Sequence, residues 1–173
     1  MKMNFLAVTV ILFAAVLASA NDAASGAIEF KREMFKLRNG AVLDTVDKSP
    51  VLKLVSRSDK GHPQGIVTLY LDPKVKYYEL SYYVKTENIV SSKSDLYGAD
   101  VVLRPARGGA LRFAAAGSYK CDTGTGDWKK VTYTINAQRY LKEQPVTVTL
   151  RIAYAPGTAW YKDVKLTPVL TKK

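Results

Sequence analysis

The chain has 173 residues, a single cysteine and a formal net charge of +11. One cysteine excludes an internal disulfide framework, so the stability must come mainly from a buried core. The charge favours acidic partners such as uronic-acid or sulfated polysaccharides, although a solubilising surface is the alternative. Lysines are scattered along the chain instead of forming one basic run, which argues against a dedicated nucleic-acid patch.

Residues 1–20 predict a secretory signal peptide. Lys2 supplies a positive start, residues 5–17 are apolar, and Ala18-Ser19-Ala20 fits a small-x-small cleavage site. The apolar run is too short for a membrane-spanning helix, and we expect no membrane span and a secreted, extracellular protein. Residues 21–26 are small and polar and predict a flexible N-terminal arm, which leaves 27–173 as a single domain.

The chain from residue 27 onward alternates between apolar and polar positions in short runs separated by turns. In segment 77–86 the alternation assigns Tyr78 and Tyr82 to the core and places Tyr83 and Lys85 on the solvent-exposed face. Residues 31–38 are ambiguous between a strand and helical turns. The predicted strands are 27–30, 50–56, 66–71, 77–86, 99–104, 110–113, 128–135, 146–153 and 157–166. This pattern predicts an all-β fold, a two-sheet antiparallel β-sandwich of jelly-roll type.

Three pieces of the chain resemble a known family when they are taken together. They are YELSYYVK (78–85), GDWKKV (126–131) and GTAWYKDV (157–164). In this order they resemble the galactose-binding-like jelly roll of carbohydrate-binding modules, the kind usually attached to xylanases and glucanases. The resemblance covers 27–169 and implies a binding module. This chain departs from those modules in having no enzyme domain attached, so we expect it to be free-standing. Within it, Trp128 is predicted to seal the sandwich edge instead of contacting a ligand.

The resemblance also implies a structural calcium ion. Such modules often hold calcium between an acid near the closing strand and an acid or carbonyls near the first strand, which correspond here to Asp163 and Glu29. This chain departs from the pattern because Lys162 stands where those modules usually carry a second acid. The alternative is that Asp163 caps a turn or pairs with a lysine.

Candidate ligand contacts follow from the requirements of sugar recognition. Aromatic rings cover the apolar C–H faces of sugars, and planar polar groups bond to hydroxyls or carboxylates. Alternation places Tyr83, Arg104 and Arg151 on outward faces, and one of the adjacent aromatics at 160 and 161 must also face outward. We predict stacking on Tyr83 and Trp160 and hydrogen bonds from Arg104 and Arg151. The leading prediction is a secreted, non-catalytic module for an acidic or envelope-associated polysaccharide.

The residues that an enzyme would need are sparse. A polysaccharide lyase needs a histidine and a tyrosine beside arginines, and this chain offers only a partial match in His62, Tyr83 and Arg104. The chain also contains no G-x-S-x-G turn to carry a nucleophilic serine. A polysaccharide hydrolase needs two acids on one face, whereas Glu79 and Asp100 are predicted on wet faces of different strands. A hydrolase or lyase is therefore a less favoured alternative.

A structural role is the other alternative. A small secreted sandwich could be a subunit of an extracellular matrix or filament that self-assembles through its edge strands or through the 21–26 arm. The lone Cys121 is compatible with that role but does not require it.

Overall fold

The structure is a computed structural model that describes residues 26–91, 94–140 and 144–170. The predicted signal peptide and all but the last residue of the predicted arm lie outside the described residues. Within those ranges, no helix is both long enough and apolar enough to cross a membrane.

The described residues form two antiparallel sheets. Sheet A has the order β3 (Ala41–Val46), β4 (Ser49–Ser56), β11 (Gly157–Val169), β6 (Tyr77–Ile89) and β9 (Gly124–Asn136), and β1 (Ile28–Glu29) also pairs with β11. Sheet B has the order β2 (Lys36–Arg38), β5 (Gln64–Leu69), β10 (Val146–Ala153), β7 (Gly98–Pro105) and β8 (Leu111–Phe113). The remaining elements are a single 3-10 turn at Arg32–Met34 and one helical turn, α1, at Ala137–Tyr140. The predicted β-sandwich is confirmed.

The core lies between the sheets and follows the period-two alternation. Tyr78 and Tyr82 of β6 are each 1% exposed, as their alternation predicts. Leu150 and Ile152 of β10 belong to the same core and are fully buried. Tyr161 of β11 joins this layer at 2% exposure, so its neighbour on the same strand must point away from the core.

A β-bulge in β11 shapes the outer surface of sheet A. The pairing of β11 with β6 shifts register between Lys162 and Lys165, and Asp163 at the shift has φ +51°. Aspartate tolerates the left-handed region better than most residues. The extra residue changes which positions face inward, so that Val164 and Leu166 return to the core after the bulge.

One strand was missing from the sequence-based prediction. β3 pairs with β4 through a two-residue turn at Asp47 and Lys48, which have φ +50° and +64°. Such hairpin turns usually contain glycine or asparagine, and this one lacks that signature. The ambiguous segment 31–38 becomes the 3-10 turn followed by β2.

Candidate functional site

The outer face of sheet A carries aromatic side chains on β6, β9 and β11. Trp160 points outward because its strand neighbours Ala159 and Tyr161 are buried in the core. Tyr83 points outward from β6, and Trp128 lies at the start of the regular part of β9, two residues before Lys130. All three aromatic side chains are partly buried. We call the surface formed by these rings and the lysines beside them the lysine–aromatic face; it comprises Lys53, Tyr83, Lys85, Trp128, Lys130, Trp160 and Lys162.

Strand register places one ring between two lysines in each of two neighbouring rows. In the first row Trp160 is the Cα partner of both Lys53 and Lys85. In the second row Tyr83 is the Cα partner of both Lys162 and Lys130. Directly opposed residues on antiparallel strands have Cβ atoms about 4.5–5.5 Å apart, so each ring is in reach of two ammonium groups.

Two of the lysines rest against rings. The Nζ of Lys53 lies 5.7 Å from the centre of the Trp160 ring. The Nζ of Lys162 lies 4.3 Å from the centre of the Trp128 ring and 5.8 Å from that of Tyr83. These are cation–π distances. Trp128, which was predicted to seal the sandwich edge, lies on the edge strand β9, and its ring contacts Lys162 on the outer face.

Ion pairs lie at the two margins of the face. Lys53 is 3.8 Å from a carboxylate oxygen of Asp44, and Lys85 is 3.4 Å from one of Asp127. The backbone N–H of Trp128 donates to the Asp127 carboxylate at 2.8 Å. This hydrogen bond and the Lys85 ammonium lower the pKa of Asp127 from its ordinary value.

A groove of about 490 Å³ opens beside Tyr83, between the outer face of sheet A and the segment 29–35. Five basic side chains and two carboxylates line it, together with apolar residues of β3 and β4. The groove is therefore polar and carries an excess of positive charge. Its charged residues are Glu29, Lys31, Arg32, Lys130, Lys162, Asp163 and Lys165.

A second hollow, of about 620 Å³, opens at the β3–β4 edge of the same face. Val42, Asp44 and Lys53 line its side toward the sheet, and the loop 57–62 closes the other side. Lys53, which lines this hollow, is the register partner of Trp160.

Glu29 and Asp163, the residues proposed for calcium, both line the groove, and both are exposed. Calcium takes six to eight oxygen ligands, mostly carboxylates and carbonyls. No group of three or more His, Cys, Asp or Glu side chains that could hold a metal occurs in the described ranges. Lys162 and Lys165 flank Asp163 in the same groove, so this donor set is a poor fit to calcium.

The structure separates the four predicted ligand contacts into two pairs. Tyr83 and Trp160 are diagonal neighbours on sheet A, since Trp160 pairs with the residue two positions after Tyr83. Arg104 and Arg151 lie on sheet B, in β7 and β10, on the opposite side of the sandwich. The aromatic pair and the arginine pair therefore do not share a surface.

Arg151 belongs to a buried charged cluster that sequence reasoning missed. Its Nε donates to Asp100 at 2.7 Å, and the Nε of Arg112 donates to the other oxygen at 2.7 Å. Asp100 was predicted on a wet face, but it is 1% exposed because these two guanidinium groups cover it. Arg112 also donates to Cys121, which is buried and is the free thiol of the chain.

His62, Tyr83 and Arg104, the residues considered for a lyase site, do not lie together. Tyr83 lies on the outer face of sheet A, whereas Arg104 lies on sheet B. The ring of His62 packs 5.1 Å from that of Tyr154, and its Nδ1 has no hydrogen-bond partner among the described residues. Burial, followed by the charge of Arg151, lowers the pKa of His62.

Solved structures with a similar fold include several carbohydrate-binding modules. The N-terminal cellulose-binding domain of β-1,4-glucanase C from Cellulomonas fimi superposes with a TM-score of 0.54 at 14% identity, covering 82% of this chain and 92% of that one. The family 30 module of a cellulosomal cellulase from Clostridium thermocellum gives 0.52 at 16% identity, covering 85% and 94%. The CBM22-1 xylan-binding domain of Paenibacillus barcinonensis Xyn10C gives 0.50 at 14% identity, covering 82% and 89%.

The chain has the jelly-roll fold of carbohydrate-binding modules. The expected resemblance is thus confirmed at the level of the fold. No family model and no curated protein matches the sequence. At identities of 16% or below, the resemblance does not carry over ligands, and the choice of ligand must come from this chain's own surface.

Proposed function

We propose that this protein is a secreted, non-catalytic module that binds an acidic polysaccharide through the lysine–aromatic face. The observation that carries the proposal is the outward placement of Trp160 and Tyr83 on one surface. As diagonal neighbours their positions lie about 7–8 Å apart, within reach of one ligand. Flat aromatic rings on an accessible surface suit the apolar faces of sugar rings.

The shape of the face favours a polymer over a single sugar. It crosses the four strands from β4 to β9, which at about 4.8 Å between neighbouring strands spans roughly 14 Å. Two hollows adjoin it, one lined by Tyr83 and Lys162 and the other by Lys53. A ligand of several units could contact both rows, whereas a monosaccharide would contact only one.

Charge favours an acidic ligand. The whole chain carries +11, and the groove beside Tyr83 has five basic side chains against two carboxylates. A surface with this excess attracts polyanions. Secretion is supported by the apolar run at 5–17 and the small-residue site at 18–20.

The carboxylates on this face favour binding over hydrolysis. A glycosidase needs two carboxyl groups about 5–10 Å apart across one bond. Asp44 and Asp127 lie on β3 and β9, at opposite edges of sheet A, and each is paired with a lysine. Glu29 and Asp163 are exposed, so neither has the buried, apolar setting that a catalytic general acid needs.

Assembly through edge strands, the alternative role, stays a prediction, and three of the four sheet edges do not favour it. The edge strands of sheet B, β2 and β8, have three residues each. One edge of sheet A is β9, which carries Lys129 and Lys130. Short edges and edge lysines both oppose strand addition. The other edge of sheet A is β3, a six-residue strand without lysine.

Retention on immobilised acidic and neutral polysaccharides tests the proposal, with release of new reducing ends or unsaturated products measured in parallel. We expect retention on an acidic polymer with no product. Trp160→Ala should weaken binding about tenfold or more. Tyr70→Ala removes a 75% exposed ring outside the face and serves as the matched control. Equal losses in the two variants, or no retention on any polymer, would exclude this binding surface.

A further inference from the structure

We propose that Lys162 makes the lysine–aromatic face selective for glycans with carboxylate or sulfate groups, and that Trp128 positions its ammonium group for that role. This inference rests on the proposed function and adds the chemical feature that the face recognises. It predicts discrimination between two ligands that have the same sugar backbone and differ only in charge.

The first argument is that the ring of Trp128 already contacts an ammonium group of the protein. The ammonium of Lys162 lies 4.3 Å from the ring centre, within the range of a cation–π contact. This contact is closer than those of Lys53 with Trp160 at 5.7 Å and of Lys162 with Tyr83 at 5.8 Å, so the ring of Trp128 is the least free of the three to stack against a sugar. The contribution of Trp128 is therefore to fix Lys162, which also lies 5.8 Å from the centre of the Tyr83 ring.

The second argument is the register of the row around Tyr83. Lys162 and Lys130 are the Cα partners of Tyr83 on its two sides. Neighbouring strands lie about 4.8 Å apart, so a sugar ring stacked on Tyr83 would have an ammonium group near each of its edges. A carboxylate or sulfate at the edge of that ring would meet a positive charge without displacing the stacking contact.

The third argument is that the lysines of the face are not equivalent. Lys53 and Lys85 form ion pairs with Asp44 and Asp127 at the margins. Lys162 contacts two rings, and its charge acts on Asp127 only as the weakest of the causes that lower the pKa of that carboxyl. A ring holds a cation in place without neutralising its charge. Its charge therefore stays available to an anionic ligand at the centre of the face.

The test uses two pairs of polymers of the same length, polygalacturonate with its methyl-esterified form and alginate with its methyl-esterified form. Binding is measured by calorimetry or affinity electrophoresis. The wild-type protein should bind at least one acid about tenfold more tightly than its ester. Raising the salt concentration from low to about 0.3 M should weaken acid binding much more than ester binding, since exposed charges are screened.

The variants distinguish recognition of the anionic group by Lys162 from attraction by the overall positive charge of the protein. Lys162→Gln should reduce the acid-to-ester ratio about fivefold or more and leave ester binding nearly unchanged. Trp128→Leu should lower the ratio although Lys162 is intact, and Trp128→Phe should retain most of it. Lys36→Gln removes the same charge from an exposed position on sheet B and should leave the ratio unchanged.

The possible results are distinguishable. Equal affinity for acid and ester, or equal effects of Lys162→Gln and Lys36→Gln, would overturn the selectivity proposal and leave polysaccharide binding standing. A Trp128→Leu variant with full selectivity would overturn the positioning role. Absence of binding to every acid and every ester would overturn the proposed function itself.

Discussion

Replacing Asp100 with asparagine should destabilise the fold more than any other single change of a charged residue discussed above. Asp100 is 1% exposed and accepts hydrogen bonds from Arg112 Nε and Arg151 Nε at 2.7 Å and from Arg151 Nη2 at 3.1 Å. The two arginine side chains are only 18% and 16% exposed. The substitution would leave two positive charges close together with little solvent.

Removing one partner from a buried ion pair costs about 3–5 kcal/mol. For a domain of about 150 residues each kcal/mol lowers the melting temperature by about 2–4 °C, so we expect a fall of roughly 6–20 °C. The assay is urea unfolding combined with a thermal melt. Asp44→Asn is the matched control, because it breaks a half-exposed pair with Lys53 at 3.8 Å and should cost about 1 kcal/mol or less.

The outcome that would refute this reasoning is equal destabilisation by the two substitutions. Because Asp100 lies on sheet B, away from the lysine–aromatic face, folded Asp100→Asn should bind polysaccharide as the wild-type protein does. A loss of binding at a temperature where the variant is fully folded would mean that the cluster on sheet B takes part in recognition.

Three further predictions concern the core, the thiol and the metal. Tyr161→Ala should cost about 3–5 kcal/mol in urea unfolding, whereas its neighbour Trp160→Ala should cost about 1 kcal/mol or less; equal costs would place Trp160 in the core. Burial raises the pKa of the Cys121 thiol from 9.0 to about 12. Its folded pKa therefore lies above its unfolded one, so its contribution to stability is complete below pH 9 and is lost as the pH rises toward 12. Cys121→Ala should flatten that part of a stability-against-pH curve, and an unchanged slope would contradict the assignment. A chelator should leave the melting temperature unchanged, because Glu29 and Asp163 lie among lysines; a shift of several degrees would restore the calcium site.

Local alternation was sufficient to predict most of the sandwich. The bounds of β10 match the predicted strand at 146–153, and the inward tyrosines of β6 follow from period two alone. The prediction failed where the backbone departs from ordinary patterns. β3 was missed because the turn that ends it, at Asp47 and Lys48, contains no glycine, so no glycine turn signal separates β3 from β4.

The candidate site was only partly predictable for a different reason. Alternation shows that a residue faces outward, but it does not show on which sheet. It therefore grouped Arg104 and Arg151 with Tyr83 and Trp160, although the two pairs lie on opposite sides of the sandwich. The rows of lysines and rings depend on pairing between strands far apart in the sequence, such as Lys53 with Trp160. No local pattern contains that register.

The burial of Asp100 was unpredictable on the same grounds. An acidic side chain at an outward position is normally exposed to solvent. Only the pairing of β7 with β8 and β10 brings Arg112 and Arg151 over Asp100.

Similarly, Trp128 follows a glycine-rich turn that suggests an edge position. Its role on the face becomes visible only when Lys162, on β11, is placed against its ring.

The most direct test of the account is a titration of the labelled protein with an acidic polysaccharide that retains it, followed through the indole N–H signals in an NMR spectrum. The chain has two tryptophans, Trp128 and Trp160, and both lie on the lysine–aromatic face. The account predicts that both indole signals shift in a saturable way while amide signals of β5 and β10 on sheet B stay in place. Shifts confined to sheet B, with both indoles unchanged, would contradict it.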